Sequence, residues 1–398
     1  MKFAILKERK NPPDQRAVFS PEALAQIKLQ YADFDVTVES SEHRIFKDEE
    51  YKFAGIDVAN DISDCAILLG VKEIPVEFLI PNKSYFLFSH TIKKQPHNRL
   101  LLKAIIEKNI NLYDYELVAD ENNRRLIGFG RFAGYVGVYN SIRAFGLKFG
   151  LFKLPKVNTL SGKEEMIRQL KRIVLPPLKF VITGKGKVGK GAKEILDLIK
   201  IKEVTQENYL TKKYSQSVYT QLGVSDYYKR KDDLPFDFEN FKVNPQVYVS
   251  NFEQFAAISE IYISGHYHAP ESPEILSRDI LKSEKCNIKV VADIACDIDG
   301  PIACTLRSSS IEEPFYGYLP SEHKEVDFFH PAAIVVMAVS NLPSELPRDA
   351  SIGFGEMLVE HVIPAFFNND NDGILQRSQI TLNGKLMPRF AYLADYIE

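Results

Sequence analysis

A glycine-rich turn between an apolar strand and an amphipathic helix is the feature that most restricts the fold of this chain. Gly184, Gly186 and Gly189 have the spacing G-x-G-x-x-G, after the apolar run KFVIT and before KGAKEILDLI. The first glycine permits a tight turn, the second lets the backbone approach a pyrophosphate, and the third packs helix on strand. The pattern predicts a dinucleotide-binding unit; the alternative is a glycine-rich turn without a ligand.

Short strands alternate with helices on both sides of this turn. In the first third, the strand candidates are MKFAIL, FDVTVES, CAILLGV and NINLYDYELV, and the helix candidates include SPEALAQIKLQY and LLLKAIIEKN. Ser20 and Pro21 are suited to the N-cap and the first position of the SPEAL helix. Further strand candidates are QVYVSNF, SEIYISGHYH, KVVADIACD and AAIVVMAV. Strands that alternate with helices predict an α/β fold with parallel sheets.

Length and composition exclude several classes of protein. The 398 residues suggest two or three domains, and 45% of them are hydrophobic. The net charge is −3 without a long basic run, so we expect no nucleic-acid partner. No apolar stretch approaches 18 residues, and MKFAILKERK is too short and charged for a signal peptide. The four cysteines form no CxxC pair, which favours reduced thiols in the cytoplasm, without a membrane partner or a metal.

Lys72 and His90 each follow an apolar run in the first third of the chain. They end AILLGV and YFLF, respectively. In open α/β sheets ligands bind outside the carboxyl ends of the strands, so the two side chains could share one site. A partly shielded lysine and a histidine can both move protons near neutral pH. The pair is typical of proton transfer at a carbonyl, imine or amine; a surface lysine and a turn histidine are the alternative.

Other charged residues lie in the same third of the chain. Arg16 precedes the SPEAL helix, Glu116 lies in YDYELV, and Arg124 and Arg125 lie in ENNRRLIGFG. Arginines suit planar carboxylates because they offer paired donors. Each of them could also be solvated surface, as could Glu73 beside Lys72.

Polar residues also follow the strands of the second series. His266 and His268 form H-x-H, and on a strand this spacing would put both rings on one face, as metal sites require. A pair lining a nucleotide crevice is the preferred interpretation. Asp293 and Asp297 follow KVVAD and could face the cofactor or cap a turn.

The residue that would select the nucleotide cannot be assigned from spacing. The expected position is the end of the second strand, which we place near Thr205 in IKEVT. Glu203 and Glu207 flank that position, and Lys185 and Lys187 add positive charge beside the phosphates. The sequence therefore leaves open whether the cofactor is NAD or NADP.

Several segments resemble one superfamily, that of alanine dehydrogenase, transhydrogenase and saccharopine dehydrogenase. The similar segments are MKFAILKERKNPPDQRAVFSPEAL, VKEIP, FLFSH and DIACDIDG. The finer resemblance, to the lysine-forming saccharopine dehydrogenase or lysine–ketoglutarate reductase branch, rests on LYDYELVADENNRRLIGFGRFAG, TGKGKVGKGA, SSSIEEPFYGY and NLPSELPRDASIGFGEML.

The resemblance implies a fold and a reaction. The fold would be two Rossmann-like domains with a cleft between them, the substrate domain at 1–135 plus 321–398 and the NAD(P)-binding domain at 136–320. The reaction would interconvert saccharopine with L-lysine and 2-oxoglutarate through an imine, with hydride transfer to or from NAD or NADP. These small molecules would be the partners of a monomer or homo-oligomer, and the chain would lack the second enzyme that is fused behind the animal reductase.

The resemblance also implies site residues. Lys72 would be the acid–base group at the secondary amine, and His90 the group for the water and carbinolamine steps. The substrate-binding residues would be Arg16, Glu73, Gln95, Glu116, Arg125 and Phe129. The cofactor-binding residues would be Arg124, Gly184, Gly186, Lys187, Val188, Gly189, Thr205, Gly265, His266, Asp293, Ile294, Ala295 and Asp297.

Two departures and two alternatives accompany the resemblance. His266 and His268 are not the residue types associated with this turn in the family, and Thr205 stands where a ribose-binding acid is common. An alanine dehydrogenase-type enzyme would share Lys72, His90 and Arg16 but would need fewer arginines. A non-catalytic NAD(P)-binding sensor would keep the glycine turn without needing Lys72 or His90.

Overall fold

The chain forms two compact units in the computed structural model, which describes residues 1–11, 14–266, 268 and 271–398. The first unit comprises Met1–Phe129 and Pro347–Glu398, and the second comprises Gly130–Leu346. The first unit is therefore built from both ends of the chain.

The N-terminal part of the first unit alternates strands and helices as the sequence pattern predicts. Its elements are β1 (Lys2–Ile5), α1 (Pro21–Gln30), β2 (Asp35–Glu39), α2 (Asp48–Phe53), β3 (Asp57–Ala59), β4 (Ile67–Leu69), β5 (Ser84–Leu87), α3 (Arg99–Glu107) and β6 (Asn111–Asp114). The side chain of Ser20 accepts a hydrogen bond from the Ala23 N–H and caps α1, which explains why this helix begins at Pro21.

These strands form a six-stranded sheet in the order β3-β2-β1-β4-β5-β6. Each neighbouring pair is parallel. This is the strand order of a dinucleotide-binding fold, in which the order reverses between β1 and the fourth strand. The carboxyl ends of β1, β4, β5 and β6 consequently lie side by side.

The second unit contains the glycine turn. Its elements are α4 (Gly130–Lys148), α5 (Lys163–Arg172), β7 (Lys179–Thr183), α6 (Lys187–Leu198), β8 (Lys202–Glu203), α7 (Gln206–Thr211), β9 (Val218–Leu222), α8 (Val224–Tyr227), β10 (Tyr228–Arg230), α9 (Phe238–Val243), β11 (Tyr248–Ser250), α10 (Glu253–Ala256), β12 (Ile261–Ser264), α11 (Arg278–Lys282), β13 (Val290–Asp293), β14 (Phe315–Leu319), β15 (Lys324–Val326) and β16 (Ile334–Met337). The QVYVSNF candidate becomes β11, which pairs with β10 outside the main sheet.

The second sheet is mixed, which corrects the expectation of parallel sheets throughout. Its order is β15-β14-β16-β13-β12-β7-β9-β8. β14 is antiparallel to both β15 and β16, because the chain returns from β14 to β16 through the short strand β15. The α/β class with two Rossmann-type units is confirmed.

The C-terminal segment returns to the first unit later than the sequence suggested. It contains α12 (Pro347–His361), α13 (Ile363–Phe367), α14 (Ile374–Ser378), β17 (Thr381–Leu382), β18 (Lys385–Leu386) and α15 (Ala394–Ile397). The predicted return was at residue 321, whereas β16 still pairs with β13 and the segment rejoins the first unit at Pro347. The apolar run AAIVVMAV is a buried strand of the second sheet. Its composition predicts a buried strand but does not show to which unit that strand belongs.

The apolar helical stretch Pro347–Phe367 supplies core to the first unit. Its length of 21 residues and mean hydropathy of 1.2 also meet the criteria for a membrane-crossing helix. Phe354, Leu358 and Ile363 are at most 1% exposed and pack in one cluster with Phe3 and Phe19. The apolar composition of this stretch is accounted for by that packing.

A buried carboxyl group in the second unit makes stability depend on pH. Glu345 is 3% exposed and accepts a hydrogen bond from Asn140 Nδ2, and burial raises its pKa to about 7. A folded-state pKa above the unfolded value near 4.3 means that this contribution is complete below pH ~4.3 and is lost as the pH rises through about 7. We therefore expect Glu345→Gln, which keeps an acceptor for Asn140, to be more stable than the unchanged protein at pH 8 by about 2 kcal/mol.

Urea unfolding at pH 5 and pH 8 measures this difference. The gain in the free energy of unfolding caused by Glu345→Gln should be smaller at pH 5 than at pH 8. The exposed Glu313→Gln should show no such dependence on pH. An equal effect of Glu345→Gln at both pH values would contradict the prediction.

Candidate functional site

Polar side chains follow the carboxyl ends of four neighbouring strands in the first unit. Glu8 follows β1, Lys72 follows β4, His90 follows β5 and Glu116 follows β6. The sequence predicted Lys72, His90 and Glu116 as site residues, and the strand order places the ends of their three strands next to one another. Glu8 was not predicted, although it follows MKFAIL in the same way that Lys72 follows its strand.

Glu8 holds the backbone that carries Lys72. Its two carboxylate oxygens accept hydrogen bonds from the N–H groups of Val71, at 2.7 Å, and Lys72, at 2.9 Å. Burial raises the pKa of Glu8 to about 7. Burial lowers the pKa of Lys72, and the charge of Arg16 lowers it further. The carboxylates of Asp14 and Glu73 act in the opposite direction. Within the described chain Lys72 makes no ion pair, and burial favours its neutral amine.

Arg16 is buried beside Asp14 and an aromatic ring. It is 2% exposed, and its Nε and Nη2 donate to the two carboxylate oxygens of Asp14 at 2.9 and 2.5 Å. Its guanidinium carbon lies 4.3 Å from the centroid of the Phe129 ring. Burial opposes ionisation of Asp14, but Arg16 outweighs it and holds the pKa of Asp14 at about 2. The pair fixes a planar cation, the kind of group that binds carboxylates.

Glu73 connects His90 to a second cation. Its Oε1 accepts from His90 Nδ1 at 2.5 Å, and its Oε2 lies 2.6 Å from Lys10 Nζ. Burial works against ionisation of Glu73, but these two partners hold its pKa at about 2. Because an ionised carboxylate only accepts hydrogen bonds, Glu73 favours the tautomer of His90 that carries its proton on Nδ1 and leaves Nε2 as the acceptor. His90 itself has a left-handed backbone, with φ of 52°, at the end of the strand.

Glu116 and Arg125 extend this group of charges. Glu116 Oε1 lies 3.0 Å from Lys93 Nζ and 3.7 Å from Arg125 Nη1. Its buried Oε2 has no hydrogen-bond partner in the described part of the chain. Arg125 is half-exposed and lies over the Phe88 ring at 5.4 Å. A buried, unused carboxylate oxygen beside an accessible arginine suits a ligand that carries both an amine and a carboxylate.

Two predicted residues of the first unit lie on its surface. Gln95 is exposed, and its backbone carbonyl oxygen accepts a hydrogen bond from the Tyr396 hydroxyl. Arg124 is exposed and pairs with Asp120 at 2.7 Å. Their roles toward substrate and cofactor stay predictions.

The glycine turn of the second unit has the close contacts that a phosphate cradle requires. Gly184 has φ of +95°, and a Cβ there would lie 2.5 Å from the Gly265 carbonyl oxygen. A Cβ on Gly189 would lie 2.0 Å from the Gly184 carbonyl oxygen. A Cβ on Gly186 would meet nothing within 4 Å, so the backbone is open on that side, at the N-terminus of α6. This geometry fits a pyrophosphate, with Lys187 and Val188 in the first turn of the helix.

His266 lies directly beside this turn. Its Nδ1 is 2.7 Å from Thr183 Oγ1, at the end of β7. Burial, with a smaller effect of the neighbouring His268, lowers the pKa of His266 to about 3. The H-x-H argument is wrong in one respect: β12 ends at Ser264, so neither histidine lies on a strand, and Tyr267 between them is outside the described residues. No group of three or more possible metal ligands occurs among the residues described.

The segment after β13 lies next to β12. Asp293 is buried, with its two oxygens bonded to the hydroxyl groups of Ser264, at 2.9 Å, and Thr305, at 2.7 Å. Burial raises its pKa, so it can be protonated more readily than a surface aspartate. Ile294 donates its N–H to the Ser264 carbonyl oxygen, and Asp297 is exposed in the following turn. Ala295 lies between them, and their contacts with a cofactor stay predictions.

The strand beside β7 is not the one that the sequence indicated. β9 pairs with β7, and β8 pairs only with β9, at the edge of the sheet. Thr205 follows β8, where its hydroxyl caps α7 by accepting from the Asn208 N–H. The residues at the end of the neighbouring strand are therefore Leu222, Gly223 and the first residues of α8. VYTQL carries the signal for this strand, since it is a short run with β-branched and aromatic residues.

Comparison with known proteins finds sequence similarity over the N-terminal third of the chain and similarity of fold over the whole chain. Residues 4–136 match the model of the family described as alanine dehydrogenase/PNT, N-terminal domain. A solved L-alanine dehydrogenase structure superimposes with a TM-score of 0.67 and 18% identity, covering 100% of both chains. The Rossmann-type architecture that the sequence predicted is thus confirmed.

The sequence relatives narrow the resemblance to one branch. The alpha-aminoadipic semialdehyde synthase of Arabidopsis thaliana is 28% identical over 98% of this chain and 41% of its own length. The saccharopine dehydrogenase [NAD(+), L-lysine-forming] of Yarrowia lipolytica is 25% identical over 90% of both chains. The chain spans less than half the length of the semialdehyde synthases that it matches. The predicted resemblance to lysine-forming saccharopine dehydrogenases is confirmed.

Proposed function

We propose that this chain is an oxidoreductase that interconverts saccharopine with L-lysine and 2-oxoglutarate, using NAD(H) or NADP(H). The observation that carries the proposal is the adjacency of Lys72 and the Glu73–His90 pair at the ends of the parallel neighbours β4 and β5. It is supported by relatives along almost the whole chain whose names state this reaction or its semialdehyde synthase counterpart.

Two proton-transfer groups match the two stages of the reaction. The ε-amine of lysine attacks the keto carbon of 2-oxoglutarate, and the resulting carbinolamine loses water to give an imine. We assign to His90 Nε2 the proton that leaves with the carbinolamine oxygen. We assign to Lys72 the proton exchanged at the substrate nitrogen, because its lowered pKa favours the neutral amine.

Charged groups of the same unit would hold the substrates. Saccharopine has three carboxylates, and Arg16 and Arg125 are the cations assigned to them. Arg16 is fixed by Asp14 and Phe129, which limits the orientation of a bound carboxylate. The free Oε2 of Glu116 would accept from an amine of the substrate. Glu73 would keep His90 in the required tautomer.

The second unit would hold the nicotinamide nucleotide. The backbone of Gly184, Gly186 and Gly189 would receive the pyrophosphate at the N-terminus of α6. When bound, the nicotinamide supplies a hydride to the imine carbon or accepts one from saccharopine. Cytoplasmic location and oligomeric state stay predictions.

Consumption of reduced nicotinamide in two substrate mixtures tests the proposal. One mixture contains L-lysine and 2-oxoglutarate, the other ammonia and pyruvate, and each is assayed with NADH and with NADPH. We expect turnover only with lysine and 2-oxoglutarate, with a product of the mass of saccharopine. Turnover only with ammonia and pyruvate would replace the proposal by an alanine dehydrogenase activity. Nucleotide binding without turnover in either mixture would favour a sensor.

A further inference from the structure

The identity of the strand beside β7 changes which residues can recognise the adenosine ribose. In dinucleotide-binding folds, a residue at the end of the strand next to the first one contacts the ribose 2′-hydroxyl or its phosphate. Here that strand is β9, which runs parallel to β7 from Val218 to Leu222. The edge strand β8, which follows the glycine helix in sequence, pairs with β9 and not with β7.

Contacts tie the end of β9 to the glycine turn. Gln221 Nε2 donates to the Gly184 carbonyl oxygen at 2.9 Å. Lys185, in the turn itself, lies 3.7 Å from Asp226 in α8, the short helix that follows β9. A Cβ added to Gly223 would lie 3.3 Å from Lys185 Nζ and 3.4 Å from Asp226 Oδ2. The glycine turn, Gly223 and Asp226 thus border one small area of surface.

Asp226 lies close to the backbone of Gly223. Its Oδ2 accepts from the Gly223 N–H at 2.6 Å, which brings the carboxylate back over the end of the strand. The Asp226 side chain is 20% exposed, so a ligand can reach it. A carboxylate here can accept hydrogen bonds from the two ribose hydroxyls, whereas a 2′-phosphate would be repelled.

The surrounding charges point in the same direction. A groove beside the end of β9 is lined by Glu203, Thr205, Glu207, Thr220 and Gln221, with Val204 and Gln206. These described lining residues include two carboxylates and no cation. The cations beside the groove are themselves paired with carboxylates, Lys193 with Glu203 at 2.6 Å and Lys185 with Asp226 at 3.7 Å.

We propose that Asp226, presented by β9 through Gly223, is the ribose-recognition residue and makes the chain selective for NAD(H) over NADP(H). This inference rests on the proposed nicotinamide chemistry but not on the identity of the amino-acid substrates. It replaces Thr205 as the residue that decides the choice of cofactor.

The dissociation constants of NADH and NADPH, measured from nucleotide fluorescence on the full chain without substrates, test the proposal. We expect NADH to bind at least about tenfold more tightly than NADPH. Asp226→Asn keeps an acceptor for the Gly223 N–H but removes the charge, so the preference should fall to about threefold or less. The exposed Glu284→Gln serves as the matched charge control and should keep the original ratio.

The outcomes separate this inference from the proposed function. Equal or tighter binding of NADPH by the unchanged chain would overturn the selectivity, as would an Asp226→Asn variant with an unaltered ratio. If NADH is preferred and Asp226→Asn reduces the preference, the inference stands even when lysine and 2-oxoglutarate are not turned over. Failure to bind either nucleotide would overturn both.

Discussion

Replacing Lys72 by methionine is expected to lower the turnover number with lysine and 2-oxoglutarate by roughly 10²–10⁴-fold. Methionine has nearly the length of lysine but cannot exchange a proton with the substrate nitrogen. NADH affinity should be unchanged, because the glycine turn belongs to the second unit. Steady-state kinetics and nucleotide fluorescence measure the two effects.

The pH profile gives this prediction a second measurement. In the direction of saccharopine oxidation Lys72 must be neutral, so kcat/KM should rise with pH to a plateau below the ordinary lysine value of 10.5. This rise of kcat/KM with pH should be absent from the residual activity of Lys72→Met. The exposed Lys52→Met provides the control, with kinetics like those of the unchanged protein. Full activity of Lys72→Met would exclude Lys72 as the acid–base group.

Replacing Glu8 by glutamine is expected to lower the turnover number by about tenfold. The amide can accept a hydrogen bond with only one of its two terminal atoms, so the N–H of Val71 or of Lys72 loses its acceptor. An unsatisfied buried N–H costs about 1–3 kcal/mol, and the Lys72 backbone would shift to reduce that cost. Glu8 would then be a positioning residue for Lys72.

A pH measurement distinguishes positioning from a loss of stability alone. As the pH rises through about 7, Glu8 ionises and both of its oxygens become acceptors, so the turnover number should rise over this range. In Glu8→Gln that rise should disappear, while Glu77→Gln, an exposed change near Lys72, should keep it. A Glu8→Gln variant that is less stable but has the turnover number and pH profile of the unchanged protein would contradict the positioning role.

Much of the fold follows from local patterns. The glycine turn was predicted from spacing and flanking periodicity, and β7 and α6 lie where those patterns put them. Ser20 and Pro21 fixed the start of α1 in the same way. Such features are decided within one turn or one strand, and nearby side chains are enough to determine them.

The order of the strands in the sheets was harder to predict from the sequence than the strands themselves. QVYVSNF and AAIVVMAV both have strand composition, yet one joins a separate two-stranded sheet and the other lies within the second sheet. A strand's composition reports that it is buried, but not which neighbour it pairs with. The insertion of β9 between β7 and β8 moved the expected ribose position from Thr205 to Gly223 and Asp226 for the same reason.

The sequence by itself determined the chemical types in the candidate site, because apolar runs that end on Lys72 and His90 predict strand ends whatever their order. The tertiary structure decided their connections. Glu8 holds Lys72 across 64 residues of sequence, and Glu73 holds His90 across 17. Buried carboxylates must find donors from whichever strands lie beside them, and those neighbours are fixed only when the sheet has formed.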